Sequence, residues 1–204
     1  MKKKTSSLEI VIVIVTGIVL NLLPMWLIQI KLELPLFMDT LGSIFVAFVA
    51  GGLPGIICAS ISQLLMCILE HYSNLIILLY VLTVYGAIGV VCLFRKTLAE
   101  SDSAFSTAFI LFFISILTIF EMCIVGGLVN AVCIYVQNIT GYEIQDNPAT
   151  SYFQVDLLRS GLSELPTYIL SRLPGNLIER PLITVLAFAA SLGYSKANKR
   201  IQLH

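Results

Sequence analysis

The sequence predicts an all-α membrane protein of six transmembrane helices with both termini in the cytoplasm, and three observations lead there. The first is composition. Of 204 residues, 58% are hydrophobic and only 12% are charged, where a soluble domain carries roughly a quarter charged residues. Too little charge remains to coat a water-facing surface. The second is the spacing of long uncharged runs, since a helix needs about 20 apolar residues to cross about 30 Å of hydrocarbon. The third is where the basic residues fall. Lys2–Lys4, Arg95/Lys96 and Lys196/Lys199/Arg200 form three clusters, and basic residues in short loops favour the cytoplasm.

Taken in order, Ile10–Ile30 carries no charge and is long enough to cross. It follows Met1-Lys2-Lys3-Lys4 like a signal peptide's apolar core, but no Ala-x-Ala site follows, so it reads as a retained first span. Thr40–Leu69 is a second uncharged stretch, interrupted by Gly51-Gly52-Leu53-Pro54-Gly55. A straight helix does not accommodate that pentapeptide comfortably. Read as a hairpin, Thr40–Ala50 descends and Leu53–Leu69 returns, which brings all three basic clusters to one side. Read as one crossing, two clusters fall outside, against the rule. The hairpin is the better reading, with short helices that tilt or sit in a locally thinned bilayer. Leu75–Phe94 is the next uncharged run, a charged loop Arg95–Asp102 follows, and Ala104–Gln137 contains a single acid, Glu121. Asn138–Gly175 reads as a long outer loop with an interfacial helix ending at Pro174-Gly175. Leu177–Tyr194 is the last span. The chain is one domain, residues 1–204.

Function classes narrow in the same way. Net charge is zero, so nothing points to a nucleic-acid partner. The cysteines Cys58, Cys67, Cys92, Cys123 and Cys133 lack CxxC or Cys/His metal spacing and read as small buried residues. There is no P-loop, HExxH or GxSxG, and no metal or cofactor is expected. The outer loops hold most of the non-terminal charge, including Glu33, Glu70, Glu143, Asp146, Asp156, Arg159, Glu164, Arg172, Glu179 and Arg180. A polar outer face fits capture of something from outside, or simple capping of the helices.

Several residues are candidates for contact with a small ligand. Asp39 stands at the outer start of the second span, where it caps the helix, binds a ligand, or does both. Glu121 lies midway along its span, where an ionised carboxylate costs at least a few kcal/mol unless paired or wet. Asn130 lies nine residues later, nearly on the opposite face, and closer to the outer side. Gln63, His71, Tyr72, Tyr80 and Tyr85 supply ring walls and hydrogen bonds of the kind pockets use, or form an interfacial aromatic belt. Asp156, Arg159, Glu164 and Arg172 suit a solvated helix face better than a catalytic set, although Arg159 is retained as a ligand contact. Ser43, Ala47 and Gly51 recur every four residues as a small-residue face of the type that lets membrane helices approach closely. Small residues are also simply common in such helices.

At Met38-Asp39-Thr40-Leu41-Gly42 and Gly51-Gly52-Leu53-Pro54-Gly55 the chain resembles the substrate-binding S components of energy-coupling factor (ECF) vitamin transporters. Pro174-Gly175-Asn176 and Glu179-Arg180-Pro181 before the last span add to the likeness. The resemblance implies a substrate-specific subunit of an ABC importer in the cell membrane of a bacterium. Such a subunit binds a water-soluble vitamin or related molecule from outside and releases it through a transmembrane coupling subunit and an ATPase pair. It is not itself an enzyme. The family's first span often shows Ala-x-x-x-Ala for docking. Here Gly17-Ile18-Val19-Leu20-Asn21 stands instead, so Gly17, Asn21, Ser43, Ala47 and Gly51 are the docking candidates. The ligand set read by position is Asp39, Gln63, Tyr80, Glu121, Asn130 and Arg159. One rival is a membrane sensor module, which would show a signalling partner rather than ATPases. The other is a lipid or prenyl enzyme working through Glu121, which would need a second acid, a metal or a nucleophile.

Overall fold

A computed structural model describes residues 7–31, 38–69, 75–141 and 148–201. About 93% of these residues are helical and none is in a strand. Helix α1 (Ser7–Pro24) continues as a π-helical segment, Met25–Lys31. Pro24 sits at the change, because proline removes a ladder donor and crowds the carbonyl one turn back. A 3₁₀ turn, Met38–Thr40, leads into α2 (Leu41–Ala50), which is followed by α3 (Gly52–Leu69). A 3₁₀ segment, Leu75–Tyr80, opens α4 (Val81–Ala99), and α5 spans Ala104–Thr140. Two short helices, α6 (Pro148–Arg159) and α7 (Glu164–Leu170), precede α8 (Leu173–Ile201).

Among the described residues, five stretches are long and apolar enough to cross a membrane: Ser7–Ile28, Gly52–Leu69, Ile76–Ala99, Ala104–Thr140 and Glu164–Ala197. Their outward residues are large and apolar, among them Leu8, Val15, Leu93, Phe105, Phe112 and Ile178. So broad an exposed apolar surface is foreign to soluble monomers and suits lipid. The short helix α2 behaves differently. Every residue from Leu41 to Phe48 is buried, as expected of a helix that is hydrophobic all round. α1, α3, α4 and α8 enclose it, so α2 is the hub of the bundle.

The chain folds back at Gly51, as expected. Gly51 has φ +100°, in the left-handed region that glycine enters without strain. Pro54 does not break the helix that follows. It occupies the first turn of α3, where no intrahelical donor is needed. Across the turn, Gly55 meets the Ala47 methyl and the Ser43 carbonyl, and the Ser43 hydroxyl faces Cys58 Sγ at 3.9 Å. These pairings make α2 and α3 an antiparallel hairpin.

Contacts fix the direction of the remaining helices. Gly17 of α1 lies beside Val46 and Cys58, and one turn on Asn21 meets Gly42, Ser43 and Ser62. α1 is therefore antiparallel to α2 and parallel to α3. The Ser60 and Tyr85 hydroxyls are 2.7 Å apart and Gly52 lies beside Cys92, so α4 returns against α3. Gly86 packs on Glu121 and Tyr80 bonds Asn130, so α5 runs against α4. Arg180 meets Thr40 and Phe188 stacks edge-on with Phe48, so α8 runs parallel to α2. The start of α1, the Gly51 turn, the α4–α5 connection and the end of α8 thus share one end of the bundle, here called the turn end. At the opposite end, here called the loop end, lie the ends of α1, α3 and α5 and the starts of α2 and α4.

Three expectations need correction. Arg95 and Lys96 are not in a loop, because α4 runs on to Ala99. Arg95 instead donates from Nε to the Phe48 carbonyl at 3.0 Å and from Nη2 to that of Val49 at 2.7 Å, which caps the last turn of α2 with a cation. Pro174-Gly175 does not end an interfacial helix. It lies in the first turn of α8, where proline is tolerated. Glu179 and Arg180 accordingly lie within α8 and are buried, rather than in an outer loop. The expected contributions of Lys2–Lys4, Glu33, Glu70, His71, Tyr72, Glu143 and Asp146 fall outside the described residues or side chains.

Candidate functional site

A polar cluster lies inside this apolar bundle, toward the loop end, between α4, α5, α8 and the start of α2. Its clearest part is a chain of three side chains. Arg172, in the turn between α7 and α8, donates from Nη2 to the Tyr80 hydroxyl at 3.1 Å. Tyr80 donates in turn to Asn130 Oδ1 at 3.0 Å. The guanidinium also lies over the Tyr80 ring, 5.2 Å from its centre, a cation–π arrangement. Arg172 reaches this position because α5 has no side chain at Gly126. A Cβ there would meet Nη1, Cδ and Cζ of Arg172 within 3.1–3.3 Å. The next residue, Gly127, lets the backbone of α7 approach at Ile169.

Deeper in the bundle, Glu179 and Arg180 form a buried ion pair, and Arg180 Nη1 donates to Thr40 Oγ1 at 2.9 Å. This ties α8 to the start of α2 across 140 positions of sequence. Glu121 lies against Gly86 on α4, and among the described residues neither of its carboxylate oxygens, both shielded from solvent, has a hydrogen-bond partner. Asn130 Nδ2 and Arg172 Nε are likewise buried without partners. Buried polar groups are normally satisfied, so the orphaned donors and acceptors gathered in this region make it the candidate site. Asn176 Nδ2 approaches Cys123 Sγ at 3.6 Å on the same face of α8.

The candidate residues read from the sequence divide accordingly. Tyr80 and Asn130 are brought together, and Glu121 lies in the same interior but on another face of α5. Asp39 is half-buried in the 3₁₀ turn beside Thr40. Gln63 is spent on a long 3.4 Å contact to the Ile77 carbonyl. Tyr85 is engaged with Ser60. Arg159 is exposed at the end of α6, with Asp156 and Glu164 also exposed. It is not part of the cluster, because α6 packs on α7 rather than over the site. Arg172 and Arg180 are what the sequence reading missed. A signal for them exists. Arg172, Asn176, Glu179/Arg180, Ile183/Thr184, Ala187 and Ser191 recur at helical spacing, and from Glu179 onward this stripe is buried. The expectation of a loop before Leu177 concealed it.

The docking candidates are placed inside the chain. Gly17, Asn21, Ser43, Ala47 and Gly51 are all buried, and they form the seam between α1, α2 and α3. Gly42 packs directly on the Gly17 backbone. In this arrangement the small-residue face serves the chain's own packing and is not available to a partner.

Among the described residues no group of three His, Cys, Asp or Glu side chains converges to hold a metal ion. The long apolar helices define a multi-pass, all-α membrane protein. No family model, curated protein or solved structure matches the chain.

Proposed function

We propose that this chain is the substrate-binding subunit of an ECF-type importer, which captures a water-soluble vitamin or related small molecule and delivers it through a coupling subunit and two ATPases. In this reading the chain crosses the bacterial cell membrane six times, with α2 as a short crossing enclosed by the others. Both termini and the Gly51 turn face the cytoplasm, and the loop end faces outward. The observation that carries the reading is the Arg172–Tyr80–Asn130 chain, with its orphaned donors, near the loop end of a largely apolar bundle. Such a convergence of a few polar groups among aromatic and apolar walls is what small-ligand sites require. The Met38–Gly42 and Gly51–Gly55 motifs supply the family. The buried small-residue seam means that docking on a coupling subunit uses other, lipid-facing helix surfaces.

The test is to purify the full chain in mild detergent, identify any small molecule that accompanies it by mass spectrometry, and titrate a panel of water-soluble vitamins. Binding at nanomolar to micromolar concentration is expected, with an ATPase pair and a coupling subunit recovered from the native membrane. A chain that carries nothing and binds nothing in the panel would end this reading. Recovery of a signalling kinase in place of the ATPases would favour a sensor.

A further inference from the structure

From the geometry around Arg172 we infer the chemical class of the ligand: a small water-soluble molecule bearing an oxyanion, a carboxylate or phosphate, held between Arg172 and Asn130. The inference rests on the reading of the chain as a small-molecule binder and makes that reading specific.

Arg172 is a cation set into the bundle, and among the described residues no carboxylate lies within ion-pair distance of it. Among the described residues its guanidinium hydrogen-bonds a neutral phenol, the Tyr80 hydroxyl, and its Nε is buried with no partner. Asn130 is only 2% exposed. Its Oδ1 is taken by Tyr80, which leaves Nδ2 as a donor shielded from solvent and unbonded. The side chains that remain to be satisfied here are therefore donors. A half-buried cation held away from any carboxylate gains from an anion beside it, and guanidinium and amide donors complement a carboxylate or phosphate, often with paired bonds from arginine.

Two nearby carboxylates do not fill this role. Glu179 is committed to Arg180. Glu121 lies five residues before Gly126, over which Arg172 rests, so it is about 7.5 Å further along α5 and about 140° around it. There it faces Gly86. Tyr80 holds the two donors apart and in register, since its hydroxyl accepts from one and donates to the other.

The experiment measures binding to the full chain in mild detergent by thermal shift and calorimetry. The probes are matched acids and primary amides (butyrate and butyramide, benzoate and benzamide, nicotinate and nicotinamide) together with inorganic phosphate. At least one acid or phosphate is expected to bind, and the acid to exceed its amide by about tenfold or more, the range of a charge-assisted bond. Arg172→Gln should bring that ratio to about one. Should Arg172→Gln fail to fold, Asn130→Asp is the second variant. It supplies an internal carboxylate to Arg172 and should fold while losing acid binding at least tenfold.

Acids binding no better than amides in every pair would overturn the oxyanion while leaving small-molecule binding intact. Acid preference unchanged in Arg172→Gln or Asn130→Asp would overturn the site. Absence of all binding, with nothing recovered by mass spectrometry, would overturn the functional reading as well. Reconstitution into phosphatidylglycerol or phosphatidylcholine vesicles separates the sources. Arg172-dependent stabilisation by phosphatidylglycerol alone, without effect of any soluble acid, would assign the oxyanion to lipid and overturn a soluble ligand.

Discussion

Asn21 holds the start of α2 through Ser43. Its Nδ2 donates to the Ser43 hydroxyl at 2.8 Å, while its Oδ1 accepts the backbone amides of Gly42 and Ser43 at 2.6 and 3.2 Å. A further bond runs to the Ser62 hydroxyl at 2.9 Å. One side chain of α1 thus caps α2 and joins it to α3. The capping expected of Asp39 is supplied, at these two amides, from another helix.

Asn21→Ala leaves two first-turn amides and two hydroxyls without this partner. Interhelical bonds in membranes average under 1 kcal/mol each, but stranded buried groups cost more, so a loss of roughly 2–4 kcal/mol is expected. Unfolding in mixed detergent measures it. Ser62→Ala, which removes only one of the partners of Asn21 and a weak contact to Cys58, should lose less than about 1 kcal/mol. Equal losses for the two would show that Asn21 is not the junction.

Gly42 and Gly17 are in backbone contact. A methyl on Gly42 would strike the Gly17 carbonyl, and one on Gly17 would strike Val46. Because main chain cannot step aside as a side-chain tip can, Gly42→Ala should cost roughly 3 kcal/mol or more and sharply reduce the yield of folded protein. Gly89, with open space around its Cβ position, is the control. Gly89→Ala should be neutral or stabilising by up to about 1 kcal/mol.

Arg95 secures the other end of α2. Arg95→Ala frees the Phe48 and Val49 carbonyls and is expected to cost about 1–2 kcal/mol. Arg95→Lys, which keeps the charge but not the fork, should restore only part of it. Hydrogen exchange at Val49–Gly51 should quicken in proportion. Unchanged protection there would mean that the Gly51 turn holds itself.

Glu121 has a different signature, since neither oxygen makes a bond in the fold. Glu121→Gln replaces an unbonded interior carboxyl with an amide of nearly the same shape, so the ligand-free chain should unfold at the same temperature or higher, a gain of up to about 1 kcal/mol. A drop in melting temperature would show that the carboxylate holds the bundle together.

The proposed orientation puts the α4–α5 connection in the cytoplasm and the residues after α6 outside. With cysteine introduced singly at Asp102 and Ser160, a membrane-impermeant maleimide on intact cells should label position 160 and reach 102 only after permeabilisation. Labelling of 102 alone would invert the proposed orientation.

By itself the sequence determined the environment and the punctuation. Scarce charge and long uncharged runs require lipid, because such surface cannot be hydrated. A glycine pair at 51–52 allows the one backbone conformation that turns α2 into α3. These are local or compositional properties, so they can be read from the chain in one dimension. Which polar residues meet was decided by tertiary structure. Arg172 was drawn half into the bundle because Gly126 leaves room for it and α8 begins earlier than its apolar run. Ser43 turned inward because α1 offers Asn21 opposite it, and Ala47 because α3 offers Gly55. Such partnerships depend on which helix faces which across dozens of residues, and no spacing within a single helix records that.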